Sequence, residues 1–434
     1  MKGKVLTFLA VLILFYIQKA TADVEYFGVN LAGADFGEGN LPGVYGTHYT
    51  YPTIAEVDYF VGKGMNVFRL PFRWERLQNS AFETLNATEL TRMDNFVNYA
   101  TAQGASVVLD PHNYSRYYGE IIGSTNLDVS AFEDFWAKLA AHYKNNARVI
   151  FGLMNEPNSM SSELWRDNAN AAIQAIRRAG AHNLILVPGN GWTGAHSWTQ
   201  NWYGTPNATL MLTIVDSLNN YAFDVHQYLD SNSSGTSPTC VSATIGSTRL
   251  QSFTNWARTN GKRGFLGEFA ASDNATCNTA IDNMLAYMLD NSDVWLGWTW
   301  WAAGPWWGNY MFSLEPNGNT DAPQMALIEP FIGVATDIKD PGDIVKPQNF
   351  QLKQNYPNPF NPSTVINYHL ASGNRVRLTV FDINGREIKS LVNKYQPAGD
   401  YSITFESAGL TSGIYLYKIQ ADNFSQIKRM LLIK

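Results

Sequence analysis

Two glutamates sit where glutamate is seldom found. Phe151-Gly152-Leu153-Met154 and Gly264-Phe265-Leu266-Gly267 are apolar runs of the kind that fold inside, yet one leads through Asn155 to Glu156 and the other ends in Glu268. A glutamate is rarely buried unless it is paired or has a task. Two carboxyl groups held about 5–5.5 Å apart can divide the work at an acetal carbon. One attacks the carbon. The other protonates the departing oxygen and then activates water. Glu268 fits the first role and Glu156 the second, the plainer alternative being two ion-paired structural acids.

Other polar residues recur in the same relation to apolar runs, and each acquires a role beside such a pair. Arg69 would favour the ionised form of a nucleophile, and the charge so fixed would keep its partner protonated. His226 and Tyr228, one apolar run before Glu268, can hydrogen-bond the nucleophile and orient it. Asn155 could reach the hydroxyl beside the reacting carbon, and His112 could position hydroxyls or the acid. On spacing alone, Arg69 and His112 could equally just satisfy neighbouring groups. All 13 tryptophans precede residue 310. Indole rings cover the flat C–H faces of sugars at little entropic cost. Trp301 is best placed to floor a cleft, followed by Trp306, Trp307 and Trp192, whereas Trp136, Trp165 and Trp256 fall in helix-period segments and read as core. The sum is the chemistry of a retaining glycosidase.

The elements that must carry these residues are legible as a rhythm. Short β-rich runs occur at Tyr26–Leu31, Asn66–Leu70, Ser106–Leu109, Val149–Met154, Leu184–Val187, Tyr221–Val225, Gly264–Gly267 and Val294–Trp298. Helix-period segments such as Ser130–Tyr143, Leu164–Ala179 and Thr279–Leu289 lie between several of them. Eight strand-then-helix units in about 300 residues predict an α/β fold, a (β/α)8 TIM barrel, whose active face gathers residues from the C-terminal strand ends. A doubly wound open sheet is the alternative, but no Gly-rich phosphate turn follows an early strand. Beyond residue 349 the pattern changes to period two, at Arg375–Phe381, Tyr401–Phe405 and Gly413–Ile419, with turns at Asn384-Gly385, Ala398-Gly399 and Ser412-Gly413. That predicts a small all-β sandwich.

Composition bounds the rest. The chain has 434 residues, 45% hydrophobic and 16% charged, which is a core-burying balance. A net charge of −6 leaves no basic excess for phosphates and argues against a nucleic-acid partner. Residues 23–348 hold 18 Lys and Arg against 32 Asp and Glu, and residues 349–434 hold 10 against 5. The predicted organisation is a signal peptide at 1–22, a catalytic barrel at 23–332, a linker at 333–348 and a β-sandwich at 349–434. Lys2 and Lys4, the apolar run Val5–Ile17 and Ala20-Thr21-Ala22 make the signal, the run being shorter than the roughly 20 residues that a membrane span needs. Export implies an oxidising medium, in which Cys240 and Cys277 are better read as a structural disulfide than as metal ligands.

With these residues in view, residues 25–332 resemble glycoside hydrolase family 5, and within it the fungal-type endoglucanase subgroup. The resemblance is carried by GVNLAGADFG, LPGVYGTHY, KGMNVFRLPF, LDPHNYSRYYG, FGLMNEPN, GNGWTGAHSW, HQYLDSNSSGTSPTC, GFLGEF and WWAAGPWWG. It implies that Glu156 is the acid/base and Glu268 the nucleophile. It also implies that Arg69, His112, Asn155, His226, Tyr228 and Trp301 complete the site, and that β-1,4-glucans are cut with retention and without a cofactor or metal. The final 80 or so residues are similar to the C-terminal sorting domain of the type IX secretion system, through Gln354-Asn355-Tyr356-Pro357-Asn358-Pro359-Phe360-Asn361-Pro362 and Leu410-Thr411-Ser412-Gly413-Ile414-Tyr415. That likeness implies an outer-membrane secretion machinery as partner and a secreted or surface-attached product. A β-glucan polysaccharide such as cellulose is the expected substrate and a monomer the expected state. The alternatives are a glycanase for mannan, xylan or xyloglucan, and a non-catalytic glycan-binding surface protein, which would be expected to lack one of the two glutamates.

Overall fold

The structure is a computed structural model describing residues 24–318, 320–333, 351–370, 374–383, 385–397, 399–421 and 424–434. The signal segment, most of the linker and the turn residues Asn384 and Ala398 lie outside the described residues. The chain forms two compact units that divide between Thr336 and Asp337.

In the first unit, eight parallel strands close into a barrel: Tyr26–Leu31, Val67–Phe72, Ser106–Pro111, Val149–Gly152, Ile185–Pro188, Tyr221–His226, Gly264–Phe269 and Trp295–Ala303. Most of these strands are buried along their whole length because one face fills the barrel and the other meets the helices. Val67, Val108, Ile150, Leu186, Ala222, Phe265 and Leu296 form one apolar layer that plugs the N-terminal end of the barrel. Arg69, Asp110, Asn155, His226 and Glu268 lie on the other side of this layer, toward the C-terminal ends of the strands.

The outer helices follow from local sequence. Val129–Tyr143 buries Ala131, Phe132, Phe135, Trp136, Leu139, Ala140 and Tyr143, one stripe at helical spacing, and Asp128 caps its first turn by accepting the Ser130 N–H. Asn86, Ser161 and Asn274 cap Ala87–Ala102, Ser162–Arg178 and Ala275–Asp290 in the same way. Trp136 and Trp165 are fully buried, and Trp256 is half-buried with its indole N–H donated to the Ala208 carbonyl. The expected alternation is incomplete. After the fifth and eighth strands the described residues hold only single turns of helix, Asn207–Leu210 and Met325–Ile328, each continued by a short 3-10 turn.

The second unit pairs a three-stranded sheet (Gln351–Leu352, Ser363–Leu370, Gly399–Glu406) with a four-stranded one (Glu387–Gln396, Asn374–Asp382, Gly413–Ala421, Phe424–Leu432), all antiparallel. Tyr368, Leu378, Val380, Phe405, Tyr417 and Leu432 are among the residues of its separate core.

Candidate active site

Arg69 is the hub of the barrel mouth. It lies inside the second strand rather than at its end, faces inward and is fully buried. Nη1 donates to Asn30 Oδ1 and to Glu268 Oε1, both at 2.8 Å. Nη2 donates to Asn155 Oδ1 at 2.7 Å and lies 3.0 Å from Asp110 Oδ2. One planar cation thus ties together residues from the first, third, fourth and seventh strands or their ends. Burial works against its charge, but Asp110 and Glu268 outweigh that and hold it protonated.

The two glutamates have different surroundings. Glu268 sits on the seventh strand with both oxygens occupied, Oε1 by Arg69 and Oε2 by the Tyr228 hydroxyl at 2.8 Å. Burial raises its pKa, while His226, Arg69 and the Tyr228 bond oppose the rise. Glu156 lies just past the fourth strand in a left-handed backbone conformation, φ +41°, which is unusual for a residue with a side chain. It is the more open of the two, its side chain 17% exposed against 5% for Glu268. Burial pushes its pKa up to about 8, Asp110 adding to the rise and Arg69 opposing it. Oxygens of the two carboxyl groups come within 4.8 Å of one another.

His226 makes its short contact with Glu156 and not, as the sequence suggested, with Glu268. Nδ1 is 2.7 Å from Glu156 Oε1 and 3.5 Å from Glu268 Oε2. Burial pushes the imidazole down to about 4, so the ring is neutral and one proton lies between it and Glu156. A register shift between Val225 and His226 sets His226 opposite Glu268 on the neighbouring strand. His112, held neutral by burial, pairs through Nδ1 with Asp110 at 2.9 Å, and Asn155 Nδ2 lies 3.1 Å from its Nε2. The neutral ring therefore donates to Asp110 and accepts from Asn155, leaving Asn155 one N–H.

The aromatic residues divide into floor and rim. Trp301 lies within the eighth strand, which runs to Ala303, and stacks on His112 with centroids 5.3 Å apart. Trp307 meets Trp301 edge-on and stacks on Tyr310 at 4.3 Å. Trp306 is exposed on the loop beyond the strand. Trp192 is equally exposed on the loop after the fifth strand, its backbone N–H donated to the Pro157 carbonyl beside Glu156. Cys240 and Cys277 form a disulfide.

Several site residues were not singled out from the sequence. Asn30 is a ligand of Arg69, as is Asp110, which the sequence offered only as the polar residue leading to His112 in LDPHNYSRYYG, and Tyr310 and Tyr114 flank the carboxylates. Asp224 is buried with Oδ1 unpartnered and its pKa raised to about 8, chiefly by burial. It requires Gly267, since a Cβ there would lie 2.3 Å from Oδ1. A period-two count would have found it, because Asp224 and His226 face the same way on one strand. Glu156, His226 and Glu268 each offer one atom of a possible cation site, although Arg69 and Tyr228 already occupy both Glu268 oxygens.

A TIM barrel with two close, differently supported carboxyl groups at its mouth is the frame of a retaining glycoside hydrolase. Residues 21–304 match the model of the cellulase family, glycosyl hydrolase family 5, and the chain belongs to that family. It is 45% identical over 304 residues to endo-beta-1,4-glucanase B of Aspergillus niger, covering 70% of this chain and 88% of that protein. The crystal structure of the endo-beta-1,4-glucanase Xac0029 from Xanthomonas axonopodis pv. citri is 50% identical, with a TM-score of 0.71 over 72% of this chain and all of that one. A structure of XacCel5A in complex with cellopentaose is 47% identical, with a TM-score of 0.70 over 71% of this chain and 99% of that one. Residues 354–434 match the secretion system C-terminal sorting domain, so the protein is secreted or attached at the cell surface.

Proposed function

We propose that the protein is an endo-β-1,4-glucanase in which Glu268 attacks the anomeric carbon and Glu156 serves as acid and then base. The observation that carries this reading is the pair of carboxyl groups within 4.8 Å, too close for the water that an inverting enzyme places between them. Their unequal company supports the division of roles. Glu268 is braced by Arg69 and Tyr228, which favour the anion, whereas Glu156 is raised to about 8 and enters the reaction protonated. When Glu268 forms the glycosyl ester its charge is lost, the proton affinity of Glu156 falls, and Glu156 can take a proton from the incoming water.

The remaining N–H of Asn155 is available to the sugar's 2-hydroxyl, a bond that strengthens in the transition state. Trp301 floors the cleft, and Trp192 and Trp306 offer exposed aromatic surface for further sugar units. A β-glucan such as cellulose is the substrate, by likeness to relatives named endo-β-1,4-glucanases. The C-terminal domain addresses the chain to an outer-membrane secretion machinery, and the proposed state is a monomer, the paired carboxyl groups and their supports needing no second copy to complete them. Viscosity and reducing ends should be followed together on carboxymethylcellulose, barley β-glucan, mannan and xylan. A rapid fall in viscosity of the first two with few new ends is the expected result. Activity confined to mannan or xylan would overturn the substrate assignment.

A further inference from the structure

The loop after the sixth strand closes on the tyrosine that braces Glu268. Asp230, 3% exposed, folds this loop around its own carboxylate. The backbone N–H groups of Gly235, Thr236 and Ser237 donate to it at 3.2, 3.2 and 3.3 Å, and the Ser234 hydroxyl donates at 3.1 Å. These bonds bring Gly235, at φ +69°, against the Tyr228 ring. A Cβ at Gly235 would lie 2.6 Å from Cδ1 and 2.7 Å from Cε1 of that ring. Phe312 lies parallel to the same ring, with centroids 6.4 Å apart. Arg249 clamps the base of the loop by donating to the carbonyls of Tyr228 and Ser231. At its far end, Asn274 donates to the Pro238 carbonyl and the Cys240–Cys277 disulfide joins it to the helix Ala275–Asp290. The crevice between Tyr228, Asp230, Gly235 and Cys240 has no room for a water molecule.

We propose that Asp230 and Gly235 are positioning residues for the reaction, the Asp230 carboxylate folding the loop so that Gly235 locks the Tyr228 ring and fixes its hydroxyl on Glu268. The inference rests on the reading of Glu268 as nucleophile. Arg69 holds one oxygen of that carboxylate and Tyr228 the other, so the loop determines whether the carboxylate can rotate. A loop serving only stability would have no reason to act through the tyrosine.

A double-mutant cycle on the full chain separates these roles. Tyr228→Phe, Gly235→Ala, Asp230→Asn and the Tyr228→Phe/Gly235→Ala pair would be compared by kcat, KM, pH profile and Tm. Arg69, Glu156, Asp224, His226, Tyr114 and Tyr310 also face Glu268 and are unchanged in every variant. Tyr228→Phe should lower kcat on the order of 10- to 100-fold, the worth of one hydrogen bond to a charged group. It should also move the acid limb to higher pH. Gly235→Ala should do the same with KM nearly unchanged, and should add little once Tyr228 is already Phe. Asp230→Asn, which keeps its shape, should show a smaller change in the same direction and carries the test if Gly235→Ala does not fold. A Gly235→Ala or Asp230→Asn variant that loses Tm but keeps the wild-type kcat and acid limb would overturn the proposal, as would an equal loss with and without the Tyr228 hydroxyl. If Tyr228→Phe itself leaves kcat and the acid limb unmoved, the reading of Glu268 fails, a different result from failure of the loop.

Discussion

Glu156 and Glu268 are the same residue in unlike company, and that company sets the expected pH behaviour. The basic limb of kcat/KM should fall near the Glu156 value of about 8, because above it the leaving oxygen finds no proton. Glu268, as the proposed nucleophile, should set the acid limb, since attack requires the anion. Replacing Arg69 with Met removes the cation that favours that anion, so the acid limb should move to higher pH while activity drops. The same change leaves Asp110 and Glu268 buried without their shared partner, at a cost of about 3–5 kcal/mol, measurable by chemical denaturation. Glu156→Gln should lose roughly 10²–10⁴-fold on a glucan. It should lose far less on an aryl cellobioside whose leaving group needs no proton, and an equal loss on both would contradict the acid role.

At the level of elements, the apolar runs made the barrel legible before any coordinate. All eight strands lie where short β-rich runs interrupt helical periodicity, because both faces of a barrel strand must be apolar. The two glutamates were legible for the same reason, as acids terminating runs that had to be buried. What stayed hidden depends on contacts distant in sequence. No local signal shows that His226 meets Glu156 across the mouth, or that the Trp-rich eighth strand continues past Trp301. Asp224 and Asn30 look like ordinary alternation until the barrel closes around Arg69. Among the loops, that between Tyr228 and Cys240 is covalently anchored. Replacing both Cys240 and Cys277 with Ser releases a closure of 37 residues and should cost about 3–4 kcal/mol, read as a lower Tm.

The whole molecule joins a barrel that holds every proposed catalytic group to a β-sandwich with its own core. Removing residues 349–434 should therefore leave kcat/KM on soluble β-glucan within about twofold, since the barrel has its own core and carries every proposed catalytic group. The same deletion should abolish export in the native host, followed by activity in cells and medium. The claim on which the rest depends is a covalent bond between substrate and Glu268. Incubation of the enzyme with an activated 2-deoxy-2-fluorocellobioside, then peptide mass spectrometry, tests it directly. The expected result is one glycosyl unit on the peptide containing Glu268, with activity lost in step. Label on Glu156 instead, or an active enzyme that hydrolyses the reagent with inversion and never carries a label, would contradict it.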